Sequence, residues 1–146
     1  PASTTRVPLE VAARNGHARV VALLLAHPAV KPNRKRQGLC VLMIACMEGH
    51  TEVVATLLAD ARVHPQPKGS NGTTPLHIAA QEGASAIVAH FLRCPAVDPN
   101  FADDDGVTPL HTACYLGHTE VVQQLLNHPQ LDPNVQSTAG ATALFL

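Results

Sequence analysis

Cysteine and histidine are the residue types in this chain best suited to chemistry, and they form two pairs with the same spacing. Cys46 precedes His50 by four residues, and Cys114 precedes His118 by four, so each pair would share one face of a helix. Thiolate and imidazole are common ligands of zinc, which takes four ligands in a structural site. The two pairs lie in distant parts of the sequence and are not expected to meet at one ion. We therefore expect structural roles for these residues, and no metal.

Other patterns that could support catalysis or ligand binding are weak. No Ser/His/Asp order, Gly-rich phosphate loop or paired-acid motif is present, so we expect no catalytic residues, no cofactor and no enzyme activity. The acidic run 103–105 lacks the spacing of an EF-hand loop, and beside Gly106 it is typical of a turn. Its outer two members remain candidates for contact with a basic ligand. The basic run 34–36 is interpreted as a solvated turn, with an acidic or phosphorylated partner as the alternative.

Charge and hydropathy exclude several classes of function. The net charge is −1, so no overall charge recruits nucleic acid or an anionic membrane. Residues 1–68 hold nine Lys and Arg against four acids, whereas residues 69–146 hold one Arg against seven acids. The longest apolar run, 39–47, is far shorter than the roughly 20 residues of a membrane span. We expect no membrane insertion.

The four cysteines show no spacing that requires a disulfide framework, so we expect an intracellular, cytoplasmic location. The sequence starts at Pro1 rather than Met and stops early in a repeated unit. We therefore expect it to be part of a longer protein.

The elements that would position these residues follow a regular repeat. Gly16, Gly49, Gly83 and Gly117 are spaced by 33, 34 and 34 residues. An apolar helical stretch precedes each glycine, and a second one follows it with apolar residues at i, i+1, i+4 and i+5, which form one helical face. This pattern predicts four helix–turn–helix units with helices near 8–15, 19–27, 41–48, 52–60, 75–82, 86–93, 109–116 and 120–127.

The residues that begin each unit differ between the two halves of the chain. Thr74 and Thr108 are suited to cap the first helix of their units, and each is followed by Pro at the first helical position. The first two units lack this Thr. The connector before unit two is also one residue shorter than the others. We expect a distorted turn between units one and two and a less stable N-terminal half, because a weak repeat weakens its neighbours.

The Thr-Pro-Leu-His phrases at 74–77 and 108–111, the Gly-His turns and the Val-Val-x-x-Leu-Leu stretches resemble the ankyrin repeat. The resemblance covers nearly the whole chain. It implies an all-α solenoid of stacked helix–turn–helix units with projecting finger turns. It assigns residues 1–146 to a single array with repeats at about 4–35, 36–68, 69–102 and 103–136 and a partial repeat at 137–146. His77 and His111 would form hydrogen bonds between adjacent turns.

The same resemblance implies protein–protein recognition through the finger turns and the concave face of the inner helices, without catalysis. The alternative is a regulatory array of a larger enzyme or channel whose catalytic part lies elsewhere. The positions that match the family's ligand-facing residues are Arg14, Asn15, Arg36, Gln37, Leu39, Met47, Glu48, Ser70, Asn71, Thr73, Gln81, Glu82, Asp104, Asp105, Val107, Tyr115 and Leu116.

Tyr115 is the single Tyr of the chain, and Leu116 beside it is apolar where a polar residue would serve. Because Tyr is frequent among binding hot spots, we expect these two residues to anchor the partner. The alternative is that Tyr115 only packs against the neighbouring unit.

Two further expectations concern modification and self-association. The resemblance implies candidate sites for an asparaginyl hydroxylase at Asn33, Asn100 and Asn134, although Pro precedes each Asn where the family pattern usually has Val. The opposite charges of the two halves predict weak head-to-tail self-association. The apolar start of a fifth unit, at 144–146, would add to this contact.

Overall fold

The computed structural model describes residues 6–140 and 142, and this part of the chain is all-α. It contains eight α-helices, which are α1 (Pro8–Arg14), α2 (Ala18–Leu25), α3 (Val41–Met47), α4 (Thr51–Ala59), α5 (Pro75–Gln81), α6 (Ser85–Leu92), α7 (Pro109–Leu116) and α8 (Thr119–Leu126). Every helix predicted from the repeat is present, with bounds within two residues of the prediction. The start of the fifth unit at 143–146 lies outside the described residues.

The helices stack in two rows. The first helices of the units, α1, α3, α5 and α7, pack side by side in one row, and the second helices form the other. Small residues at one position, such as Ala13, Cys46 and Ala80, are fully buried and let neighbouring first helices approach closely. Both rows contribute large core residues, such as Leu42 and Leu76 from the first helices and Leu57 and Phe91 from the second. The buried Cys46 thus occupies the place of a core alanine.

The first helices of units three and four begin with capping boxes. Thr108 Oγ1 accepts a hydrogen bond from the backbone N–H of His111, and His111 Nδ1 accepts one from the backbone N–H of Thr108. Thr74 and His77 form the same arrangement at the start of α5. Helices α1 and α3 begin without a side-chain cap. The predicted difference between the two halves at these helix starts is confirmed.

The cap of α5 also connects two units. His77 Nε2 donates to the carbonyl oxygen of Val107 at 2.8 Å, because a carbonyl can only accept. His77 Nδ1 is then the unprotonated nitrogen, and it accepts from Thr74 Oγ1 at 2.8 Å. The imidazole therefore joins the start of α5 to the finger of the next unit, as the resemblance predicted. Burial lowers the pKa of His77, although the Val107 carbonyl and the Asp103 carboxylate act in the opposite direction.

Acid is expected to weaken the array through His77. A histidine whose pKa is lower in the folded state takes up protons first in the unfolded chain. Stability is therefore fully present above pH about 6.5, and it falls as the pH drops below that value, by up to about 1.4 kcal/mol per pH unit. Urea unfolding from pH about 7.5 to about 5 measures this slope. His77→Gln should flatten this slope, because it removes the buried imidazole whose pKa is lowered. An equal slope in wild type and His77→Gln would contradict the assignment.

The turn between units one and two differs from the later ones. Arg36 and Leu39 exchange two backbone hydrogen bonds of 2.8 and 3.0 Å around Gln37 and Gly38, which both have positive φ. In the next two turns, the closing hydrogen bond spans one more residue. The N–H of Gly69 donates to the Thr73 carbonyl, and the N–H of Asp103 donates to the Val107 carbonyl. The shorter connector therefore produces a tighter finger, in which a Gln adopts a conformation that favours Gly or Asn.

Candidate recognition surface

The inner surface of the array consists of the outward side of the first helices together with the finger turns. The first-helix positions predicted to meet a partner are all exposed, and they are Arg14, Asn15, Met47, Glu48, Gln81, Glu82, Tyr115 and Leu116. They occupy the last turn of each helix or the residue that follows it, so they recur at the same place in each unit. Their side chains are available for contact along the whole row.

The predicted finger positions divide into two groups. Gln37, Ser70, Asn71, Asp104 and Asp105 are exposed at the tips of the turns, whereas Arg36, Leu39, Thr73 and Val107 are half-buried at the bases. The Arg36 guanidinium lies 3.3 Å from a carboxylate oxygen of Glu10. Arg36 therefore helps to hold the first finger against α1, and the exposed group carries most of the accessible finger surface.

A shallow groove of about 390 Å³ lies on the inner surface between units three and four. Its wall is formed by Gln81 at the end of α5, by Val107 at the base of the finger, and by His111, Thr112, Tyr115 and Leu116 of α7. His111 and Thr112 were not among the predicted partner-binding residues. Both lie about one helical turn before Tyr115 and Leu116, so helical spacing would have found them.

Tyr115 and Leu116 are the most exposed apolar residues of this groove, at 72% and 45%. Tyr115 occupies the position held by Arg14, Met47 and Gln81 in the earlier units, and those residues are exposed even though a further unit follows each of them. Within the described part of the chain, most of the Tyr115 side chain is therefore accessible to a partner.

The equivalent place between units one and two has a different character. There Arg14 and Glu48 form an exposed ion pair of 3.7 Å. Their counterparts two units later are Gln81 and Leu116, which carry no charge. Between units one and two, an apolar partner side chain would have to displace this ion pair. Between units three and four, it can enter the groove directly. The third and fourth units are therefore the better candidates for an apolar contact.

The acidic run at the third finger has two roles. The Asp103 carboxylate accepts hydrogen bonds of 2.9 Å from the backbone N–H groups of Asp105 and Val107, so it stabilises the turn as predicted. Asp104 and Asp105 take part in the turn through their backbones, with the N–H of Asp104 donating to Asn71 and the Asp105 carbonyl accepting from Thr138. Their exposed carboxylates make no hydrogen bond or ion pair with the described residues.

The histidines of the Gly-His turns are engaged between units. His50 Nε2 lies 2.9 Å from the Arg14 carbonyl oxygen, and His118 Nε2 lies 2.9 Å from the Gln81 carbonyl oxygen. Burial raises the pKa of the Cys46 thiol, which disfavours the thiolate that a metal requires. Within residues 6–140 and 142, three or more ligand-type side chains nowhere come together. His50 and His118 therefore couple neighbouring units through these hydrogen bonds.

The asparagines predicted as hydroxylation sites also lie between units. The Asn33 amide donates to the Arg62 carbonyl at 2.6 Å and accepts from the His64 N–H at 2.8 Å. The Asn100 amide makes the same two contacts with the Gln130 carbonyl and the Asp132 N–H. Asn134 is exposed. The first two amides therefore brace the loops of consecutive units.

The stacked two-row architecture and the inner surface define a helical repeat protein. A family model described as ankyrin repeats (3 copies) matches residues 9–100 and 76–146. The chain belongs to the ankyrin repeat family, whose arrays are generally non-catalytic protein-interaction modules. No curated protein matches the chain. None of the helices in the described part is long and apolar enough to cross a bilayer.

Proposed function

We propose that the chain binds a partner protein through its inner surface, with Tyr115 and Leu116 as the main anchors. The observation that carries this proposal is the groove of about 390 Å³ in which both residues are exposed. An aromatic and an aliphatic side chain side by side can release water from a large contact area, which is typical of binding hot spots. A regulatory array attached to an enzyme or channel could use the same surface, and the full reading frame distinguishes that arrangement from a separate adaptor.

Site-directed photo-crosslinking tests the location of the partner. A photoreactive amino acid in place of Gln81 lies on the rim of the groove, whereas one in place of Glu52 lies on the exposed side of α4 in the second row. In lysate of the source cell, the Gln81 position should yield an adduct that excess unlabelled array competes away, and the Glu52 position should not. An adduct from the Glu52 position alone would place the partner on the opposite side and overturn the proposal.

A second candidate activity, weak head-to-tail association of two copies, is supported by the exposed side of unit one. Leu23 is 74% exposed, although the same position holds the polar residues Thr56, His90 and Gln124 in later units. Val20 beside it is 45% exposed, whereas its counterpart Val53 is fully buried. An exposed apolar side of this kind can pack against another unit of the same repeat.

The other end of the array provides the complementary side. Leu126 on α8 is 47% exposed, and the half of the chain around it is acidic where the half around Leu23 is basic. Residues 144–146 were predicted to add to the contact between copies, and they lie outside the described residues. We therefore assign the contact to Val20 and Leu23 of one copy against α8 of the next, with charge attraction between opposite halves.

Sedimentation at about 20 mM and about 500 mM salt, which shortens the screening length from roughly 20 Å to roughly 4 Å, tests this association. The average mass should rise with protein concentration at low salt, and less so at high salt. Leu23→Gln, which copies the residue at Gln124, should abolish the rise, whereas Leu116→Gln on the inner surface should preserve it. A monomer under both conditions would exclude the association.

We also propose the three asparagines as substrates of an asparaginyl hydroxylase. Modification of Asn33 or Asn100 requires their loops to open, because both amides are held by two hydrogen bonds to the next unit. Exposed Asn134 should therefore react first. Intact-mass analysis and peptide mapping after incubation with such an enzyme would detect the added oxygen, and an unchanged mass would overturn the proposal.

A further inference from the structure

We infer that the groove between units three and four takes a partner segment that carries an apolar anchor next to a Lys or Arg. This inference rests on the proposed function and specifies the chemistry of the partner. The apolar part follows from the groove itself, where Tyr115, Leu116 and Val107 supply apolar side chains and no charged residue lines the wall.

The requirement for a cation follows from the acids around the groove. Glu82 is exposed directly after Gln81, which forms one side of the groove. Asp105 precedes Val107 by two residues, so their Cα atoms lie within roughly 7 Å of each other. Asp104 is one residue further along the same finger. Three exposed carboxylates therefore belong to residues one to three positions away from residues that line an uncharged groove.

The Lys68 ammonium lies 5.0 Å from the centre of the Phe101 ring and forms no ion pair with these acids. Within residues 69–140 the one Lys or Arg is Arg93, which follows α6 in the second row of helices. The ion pairs formed by Arg14, Arg36 and Arg62 lie in units one and two. The groove therefore lies in a region of negative potential, which attracts cationic segments and repels nucleic acid and anionic lipid.

The position of the cation relative to the apolar anchor is also restricted. None of the three acids lines the groove itself, so the partner's basic residue must lie beside the apolar anchor rather than within the groove. The exposed ring face of Tyr115 offers a second contact for the same cation. A segment with an isolated apolar residue, or with acids beside it, lacks this complementarity.

Twin synthetic peptides test the inference directly. Each is a short Gly–Ser chain with one Leu–Phe pair, followed by Lys–Arg in the first peptide and by Glu–Asp in the second. Each peptide is titrated into the isotope-labelled array at about 20 mM salt, and the amide chemical shifts are followed by NMR. The basic peptide should shift the amide signals of Gln81, Val107 and Tyr115. Its Kd should be at least about tenfold lower than that of the acidic peptide, given the steep effect of like charges at an interface.

Matched double variants identify the acids responsible. Asp104→Asn with Asp105→Asn should reduce the preference for the basic peptide to within about threefold, because the two rim charges are lost. Glu52→Gln with Glu120→Gln changes the net charge by the same amount on exposed positions of the second helices and should leave the preference intact. Equal shifts of the groove by both peptides would overturn the charge preference while leaving the groove as a binding site. Failure of both peptides to shift the groove would overturn the groove as the docking site as well.

Discussion

Replacing Gly83 with Ala is expected to destabilise the array by about 2–4 kcal/mol, whereas replacing Gly117 with Ala should cost only about 1 kcal/mol. Both glycines end a first helix with positive φ, at 67° and 73°. An alanine in this left-handed conformation costs about 1 kcal/mol at either position. The difference comes from the space around them, because a methyl group at Gly83 would lie 2.8 Å from His118 Nδ1, whereas one at Gly117 would have no atom of the described residues within 4 Å.

The histidine beside Gly83 has little freedom to move away. The Nε2 atom of His118 lies 2.9 Å from the Gln81 carbonyl, so relieving the clash breaks the hydrogen bond that joins units three and four. Gly16 and His50 repeat this arrangement between units one and two. At Gly49 an added methyl group would meet no such ring, because the next unit has Ala84 in the place of the histidine.

Urea unfolding of the four Gly→Ala variants measures the effect. Gly16→Ala and Gly83→Ala should fall into the strongly destabilised class, and Gly49→Ala and Gly117→Ala into the mild one. His118→Ala in the Gly83→Ala background removes the clashing ring, so the double variant should lose less stability than the two single losses combined. Equal losses at all four glycines would mean that backbone conformation alone accounts for them.

Loss of the Tyr115 and Leu116 side chains is expected to weaken partner binding at least about tenfold, or about 1.4 kcal/mol, while leaving thermal unfolding nearly unchanged. Both side chains are exposed, so their truncation to Ala removes few contacts within the array. In the complex they would be desolvated, and their loss would leave the groove unfilled. Titration calorimetry with the captured partner, together with thermal unfolding of the free array, measures both quantities.

A double variant elsewhere on the array provides the control. Leu23→Ala with Val20→Ala removes two similarly exposed apolar side chains from the side of unit one. It should retain full affinity for the partner. A collapse of stability in the Tyr115→Ala, Leu116→Ala variant would show that these residues support the fold, and unchanged affinity would show that the partner binds elsewhere.

The sequence predicted the helices and the units because both depend on short-range patterns. The glycine spacing and the paired apolar positions were sufficient to locate α4 and α8 to within one residue. The Thr-Pro-Leu-His phrase likewise predicted the caps of α5 and α7, since the cap involves residues only three positions apart.

The groove could not be predicted in the same way. The groove depends on Gln81 of unit three and Leu116 of unit four lying next to each other. These two residues carry no charge, whereas Arg14 and Glu48 form an ion pair at the equivalent place between units one and two. The pairing of Arg36 with Glu10 is a second case, because a basic residue in a finger gives no sign of an acid in the preceding helix. Such contacts are set by stacking geometry rather than by local sequence.

Hydroxyl-radical footprinting of the free and partner-bound array tests the location of binding most directly, because exposed side chains on different surfaces can be compared in one sample. Met47, Tyr115 and Leu116 are exposed on the inner surface, and Leu23 and Leu126 are exposed at the sides of the end units. Binding to the inner surface predicts that oxidation of Tyr115 and Leu116 falls strongly in the complex, while oxidation of Leu23 and Leu126 stays unchanged. Protection of Leu23 or Leu126 with undiminished oxidation of Tyr115 and Leu116 would contradict recognition through the inner surface.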